Sequence, residues 1–155
     1  MEINLNTKGD NRQVLLCNTN RDAKYFLESI KHRNNGEYKK IPNFLIKKNG
    51  EVINLHNKDV TSFFLPGFKI EKGVVVVSLE KKWRGKLFWD QYTDKQIKET
   101  SKTLNKICKK YNIPRVTTGH NVFMEDVVYF KGIVSRSNYN EYWTDINPTF
   151  NFELI

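Results

Sequence analysis

Apolar positions along the chain switch between the period of a strand and the period of a helix. Residues 13–17, Gln-Val-Leu-Leu-Cys, form a short apolar run that predicts a buried strand. After it, Asn20 can cap a helix whose apolar residues recur at helical spacing: Ala23, Phe26, Leu27 and Ile30. The turn-forming residues Asn34-Asn35-Gly36 then predict the end of that helix.

Two further regions have the pattern of strands. Residues 43–48 and 51–55 flank Asn49-Gly50, the dipeptide that most strongly signals a two-residue hairpin. Residues 74–79 are mostly β-branched and are apolar on both faces. A strand of this kind has both faces covered, so we expect it at the centre of the sheet.

A long amphipathic segment follows in the second half of the chain. Thr93 with Gln96 three residues later is a capping box, which predicts a helix start. The face that this helix would bury consists of Ile97, Ser101, Leu104, Ile107, Cys108 and Tyr111. Pro114 lies just beyond its end, and residues 115–118 predict one more short strand leading to His120. From Asn121 onward the pattern is irregular.

The alternation of strands and helices predicts an α/β fold, with a central mixed β-sheet flanked by helices. A chain of 155 residues with 39% apolar content suffices for one packed core, so we expect residues 1–155 to form a single domain. We also expect a monomer. The candidate functional residues follow predicted strands, and sheets of this class place their sites at strand ends.

The charge of the chain narrows the classes of partner. The formal net charge is +9, from 26 Lys and Arg against 17 Asp and Glu, and such a surface attracts polyanions. The basic residues are spread along the chain rather than gathered in one helix, which argues against a dedicated nucleic-acid binder. The N-terminal residues lack the pattern of a signal peptide, and no apolar run reaches membrane-spanning length. We therefore expect cytoplasmic synthesis and no membrane partner.

Three side chains from distant segments are candidate ligands for zinc. Cys17 ends the first predicted strand, His120 follows the last one, and Asp145 lies in a turn-rich segment. Zinc binds thiolate, imidazole and carboxylate, and three protein ligands leave a fourth position for the water of a catalytic site. Each residue also has a structural interpretation. Cys17 is equally a buried strand cysteine, His120 a polar turn residue, and Asp145 a turn cap.

The order of these motifs resembles a known family. The first strand with Cys17-Asn18-Thr19, the hairpin of residues 42–52, the capping-box helix, Gly119-His120 and a final Asp-x-x-Pro-x-Phe from Asp145 resemble the zinc-dependent N-acetylmuramoyl-L-alanine amidases. These include phage lysozyme-type endolysins and peptidoglycan recognition proteins. The similarity covers about residues 13–152. It implies an amidase-like fold that binds peptidoglycan and cuts the amide between N-acetylmuramic acid and L-alanine.

The resemblance implies zinc ligands at Cys17, His120 and Asp145, with Cys17 standing where the family has histidine. A thiolate still binds zinc, but its added negative charge would weaken the metal as a Lewis acid. Other expected catalytic positions are occupied by Pro42, Asn43 and Trp143 instead of the residues that position water or stabilise the oxyanion. The candidate substitutes in this chain are Arg136, Tyr142 and Glu80, together with Tyr139.

Two functional hypotheses follow from the sequence. The first is a zinc-dependent peptidoglycan hydrolase of the endolysin type, which would act on the cell wall after release. The second keeps the fold but has lost or weakened the reaction, leaving a peptidoglycan-binding module. The substitutions at Pro42, Asn43 and Trp143 favour the second hypothesis, whereas the metal ligand set favours the first.

Overall fold

The computed structural model describes residues 12–32, 40–70, 73–82, 91–146 and 149–155. It contains one five-stranded mixed sheet, which confirms the predicted α/β class. The strands are β1 (Gln13–Asn20), β2 (Phe44–Ile46), β3 (Val52–Asn54), β4 (Val74–Lys82) and β5 (Gly132–Ser135). Their order across the sheet is β3-β2-β4-β1-β5. All neighbouring pairs are parallel except β2 with β3.

The hairpin and the central strand are confirmed where the sequence predicts them. Gly50 has a φ of +91°, a conformation that favours glycine, and the loop it ends has three residues, 48–50, between the paired residues Lys47 and Glu51. The turn is closed by a hydrogen bond from the Lys47 N–H to the Glu51 carbonyl at 2.9 Å. β4 pairs with β2 on one side and β1 on the other, and its residues 74–79 are buried.

Within the described ranges, three α-helices accompany the sheet: α1 (Ala23–His32), α2 (Thr61–Phe64) and α3 (Asp94–Tyr111). The hydroxyl of Thr93 accepts a hydrogen bond from the Gln96 N–H at 3.1 Å, so the predicted cap of α3 is confirmed. The second hydrogen bond of a capping box, from the Thr93 N–H to the Gln96 side chain, is absent from the described part of the chain. The Gln96 amide instead donates to the carbonyls of Ile46 and Glu80, which ties α3 to the sheet.

Successive side chains of the strands point to opposite faces of the sheet and belong to two hydrophobic clusters, one on each face. One cluster joins β-strand residues such as Leu16 and Val77 to the buried face of α3. The other joins Leu15, Cys17 and Val76 to α2 and to the segment around Val127. Cys17 therefore points to the face of the sheet that carries α2, opposite to α3.

The edge next to β1 differs from the sequence prediction. The pattern of residues 115–118 predicts a strand, but Thr117 makes only one isolated bridge, to Ile133. The strand that pairs with β1 is β5, within the segment whose pattern is irregular. Gly132 begins β5 with a φ of +146°, and a Cβ added at this residue would lie 2.5 Å from the Val116 carbonyl oxygen. Close backbone approach, rather than an apolar pattern, therefore defines this edge.

The end predicted for the first helix at Asn34-Asn35-Gly36 and the proline at position 148 lie outside the described residues. Within the described ranges, none of the helices combines the length and apolar character needed to traverse a bilayer.

Candidate ligand-binding cleft

A cleft opens at the carboxyl ends of the parallel strands. The chain leaves β1 and reaches β2 on one side of β4, whereas it leaves β4 and reaches β5 on the far side of β1. Because these connections run in opposite directions between neighbouring strands, a crevice is expected there. The cleft has a volume of about 180 Å³. Its lining comprises Asn18, Thr19, Asn20, Arg21, Phe26, Ser29, Ile30, Lys40, Phe64, Ser78, Arg136 and Asp145.

Arg136 directly follows β5 and is held on three sides. Its Nε donates to the Phe64 carbonyl at 3.0 Å. Its Nη1 lies 3.2 and 3.4 Å from the two carboxylate oxygens of Asp145. The guanidinium carbon lies 4.4 Å from the ring centroid of Trp143, a cation–π contact. The guanidinium is thus a fixed positive charge in the wall of the cleft.

Asp145 is positioned by both its side chain and its backbone. Its carbonyl accepts a hydrogen bond from the Ser137 N–H at 2.6 Å, next to Arg136 in the chain. The side chains of Arg136 and Asp145 are only 11% and 6% exposed. A buried ion pair of this kind depends on both partners, because either charge alone would be left uncompensated. The carboxylate of Asp145 is therefore engaged by a protein cation.

Cys17 lies behind the cleft wall, on β1 opposite Ser78 of β4. Its Sγ shares a hydrogen bond with the Ser78 Oγ at 3.0 Å and is 1% exposed. Burial raises the pKa of the Cys17 thiol to about 12, and the neighbouring Asp145 carboxylate contributes to this rise. The hydrogen bond from Ser78 and the charges of Arg136 and Lys40 partly oppose this shift. Cys17 is therefore a neutral thiol at physiological pH.

Lys40 contributes a second positive charge to the cleft. Its ammonium lies 5.7 Å from the ring centroid of Phe64, and the residue is half-buried. Burial lowers the pKa of Lys40, as does the nearby charge of Arg136, while Asp145 and Cys17 have the opposite effect. The mutual influence of these four groups places them in one electrostatic cluster.

His120 does not join this cluster. It is exposed, and its backbone carbonyl accepts hydrogen bonds from the Thr118 hydroxyl and the Asn138 amide. Among the residues that the structure describes, no group of three or more His, Cys, Asp and Glu side chains is placed to hold a metal ion. Two of the three predicted ligands, Cys17 and Asp145, lie in the cluster, and Arg136 takes the third place.

The other predicted catalytic residues have different surroundings. Tyr142 is 82% exposed and does not line the cleft. The Glu80 carboxylate accepts from the Ala23 N–H at 2.6 Å and from the Lys48 N–H at 2.8 Å, which joins the start of α1 to the hairpin. The hydroxyl of Tyr139 is buried and donates to Gln13, and burial raises its pKa. Of the predicted catalytic residues, Arg136 alone lines the cleft.

Asn43 and Trp143, which the resemblance puts at catalytic positions, make contacts that support the fold and the cleft wall. Asn43 is fully buried, and its amide donates to the carbonyls of His56 and Lys58. Its Oδ1 accepts from the Val76 N–H at 2.9 Å. Asn43 therefore connects β4 to the segment after the hairpin, while Trp143 supports Arg136.

Sequence reasoning missed most residues that line the cleft, among them Lys40 and Ser78. Ser78 is the polar residue within the otherwise apolar run of residues 74–79, a signal that could have been used. Lys40 is one of 26 basic residues, and nothing in its sequence surroundings distinguishes it from the rest.

No model of a known protein family, no curated protein and no solved structure matches this chain. The resemblance to the amidases thus remains a prediction from the motifs.

Proposed function

We propose that this protein is a peptidoglycan-binding module with an amidase-like fold, in which the cleft binds a wall fragment without metal-dependent hydrolysis. The observation that carries this proposal is the ion pair between Arg136 and Asp145. The Arg136 guanidinium pairs with the Asp145 carboxylate, which a zinc ion would need as a ligand.

The donor set of the cleft does not fit zinc. Asp145 is neutralised by Arg136, and His120 is exposed outside the cluster. A divalent cation beside Arg136 and Lys40 would also be repelled by two positive charges. These residues favour a site that binds through protein cations.

Two features support peptidoglycan as the ligand. The motif order from residue 13 to 152 resembles a family that acts on this polymer, and the cleft lies at the ends of β1, which carries Cys17, and β5, which Arg136 follows. The net charge of +9 would concentrate the protein on an anionic wall. Hydrolysis by zinc, the first hypothesis from the sequence, requires that Arg136 release Asp145.

Co-sedimentation with purified sacculi tests the binding function. We expect the protein to pellet with sacculi, without release of new N-terminal alanine. Ser29→Trp should weaken pelleting at least about tenfold, equivalent to about 1.4 kcal/mol, because an indole would fill the cleft that Ser29 lines. Lys24→Trp on the exposed side of α1 is the matched control and should bind like the parent protein. Release of alanine that a chelator stops would contradict the proposal.

A gain-of-metal experiment tests the electrostatic argument separately. Arg136→His removes the guanidinium and supplies an imidazole beside Cys17 and Asp145, which would complete a zinc ligand set. We expect about one zinc per chain in this variant by elemental analysis, and little in the parent protein. Arg115→His, a substitution of a basic residue that does not line the cleft, is the control. One zinc per chain in the parent protein would overturn the argument.

A further inference from the structure

We propose that Lys40 and Arg136 together bind a carboxylate group of the ligand in the cleft. The proposal rests on the proposed function only for the identity of the larger ligand.

The charges that line the cleft do not balance. Asp145 pairs with Arg136 at 3.2 Å, but Lys40 forms no ion pair with any residue that the structure describes. Arg21 adds another cation to the lining. The cleft therefore carries net positive charge, and its half-buried ammonium is only partly solvated. A buried or half-buried charge is stabilised by a partner of opposite sign, which here would come from the ligand.

The guanidinium of Arg136 has donor capacity left for that partner. Nε is used by the Phe64 carbonyl and Nη1 by Asp145. Nη2 has no hydrogen-bond partner within the described part of the chain, and Arg136 lines the cleft. One carboxylate could accept from Nη2 with one oxygen and from the Lys40 ammonium with the other. Such charge-assisted hydrogen bonds are among the strongest in proteins.

The remaining lining favours a carboxylate over a phosphate. Phe26, Ile30 and Phe64 supply apolar walls. These suit a carboxylate carried on a carbon skeleton and are unsuited to a fully hydrated inorganic anion.

Peptidoglycan offers two sources of a carboxylate: the stem peptide, and the lactyl group of a muramic acid that carries no peptide. Calorimetric titration can separate them with two matched pairs of probes. The first pair is N-acetylmuramic acid and its methyl amide, and the second is N-acetyl-L-alanyl-D-glutamic acid and its diamide. We expect the acid of at least one pair to bind about tenfold or more tightly than its neutral amide.

Lys40→Met tests the assignment to these residues, because it keeps most of the length of the side chain and removes its charge. We expect it to abolish the preference for the acid. Lys98→Met, on an exposed position of α3, should leave the preference unchanged. Thermal unfolding of both variants controls for loss of the fold. Equal binding of acid and amide in both pairs, or an unchanged preference in Lys40→Met, would overturn the proposal.

The outcomes separate this inference from the proposed function. If sacculi bind but neither acid is preferred, the binding module stands and the carboxylate site fails. If an acid binds through Lys40 but sacculi do not, the carboxylate site stands and peptidoglycan is the wrong ligand class.

Discussion

The side chain of Arg136 is held in the cleft by three different kinds of contact. A carbonyl, a carboxylate and an aromatic ring hold one guanidinium, so its position is determined by residues from several segments. Its role in the cleft could be proposed from the sequence, since an arginine near the third predicted ligand is a candidate oxyanion donor. Its partner could not, because the contact joins residues whose loop has no regular periodicity.

Removing one member of the Arg136–Asp145 pair should be costly. We predict that Arg136→Met lowers the free energy of unfolding by roughly 3–5 kcal/mol, because it leaves the buried Asp145 carboxylate uncompensated. Urea denaturation would measure this loss. The double variant Arg136→Met with Asp145→Leu should recover a large part of the loss, since both charges are then absent. A double variant less stable than the single one would show that the pair is not the source of the effect.

The thiol of Cys17 gives the fold a defined pH dependence. Its pKa rises from an ordinary value of 9.0 to about 12 on folding, so the folded state holds this proton more tightly than the unfolded state. The resulting stability is fully present below about pH 9 and is lost as the pH rises toward 12. We predict that the free energy of unfolding falls between pH 9 and 10 more steeply in the parent protein than in Cys17→Ala. Equal slopes would contradict a buried, neutral Cys17.

At the scale of elements, the sequence was most informative where local chemistry decides the structure. Asn49-Gly50 specifies a turn through backbone conformation, Thr93 specifies a helix start through a hydrogen bond, and residues 74–79 specify a central strand. β5 could not be found this way, because it has only four residues and lies in a segment without a clear strand or helix period. Its position depends on pairing with β1, which is distant in the chain.

Gly132 provides a test of how tightly the β5 edge is built. An added Cβ would lie 2.5 Å from the Val116 carbonyl and 2.9 Å from the Val116 side chain, so the backbone would have to move. We predict that Gly132→Ala destabilises the protein by more than about 2 kcal/mol. Gly67→Ala is the matched control, because Gly67 also has a positive φ but nothing lies within 4 Å of its added Cβ. Equal losses in thermal unfolding would show that the close approach has no cost.

At the scale of the whole molecule, the sequence predicted one site for Cys17, His120 and Asp145, whereas the structure brings Cys17 and Asp145 together with Arg136 and leaves His120 exposed. The apolar pattern of residues 115–118 suggested a strand leading to His120, whereas the sheet is completed by β5 and followed by Arg136. Which side chain arrives at the end of a sheet depends on which strand pairs there. That information is held in the tertiary contacts rather than in local periodicity.

The fold as a whole should be independent of metal. We predict that the midpoint of thermal unfolding does not change when a chelator is added, because the described core is built from packed apolar side chains and paired protein charges. Structural metal sites contribute directly to folding, so their loss would be visible in calorimetry. A clear decrease of the midpoint in chelator, restored by zinc, would contradict this prediction.

The carboxylate of Glu80 connects α1 to the hairpin, two elements from different segments of the chain. One oxygen holds the first turn of α1 and the other holds the backbone after β2. Phe26, Ser29 and Ile30 of α1 line the cleft. The length of the Glu80 side chain therefore determines how far α1 lies from the strands and how wide the cleft is. Glu80→Asp would shorten this side chain by one methylene, so that α1 could shift while the strands stay in place. A related protein with this change could bind a larger ligand without a change in any residue that contacts the ligand.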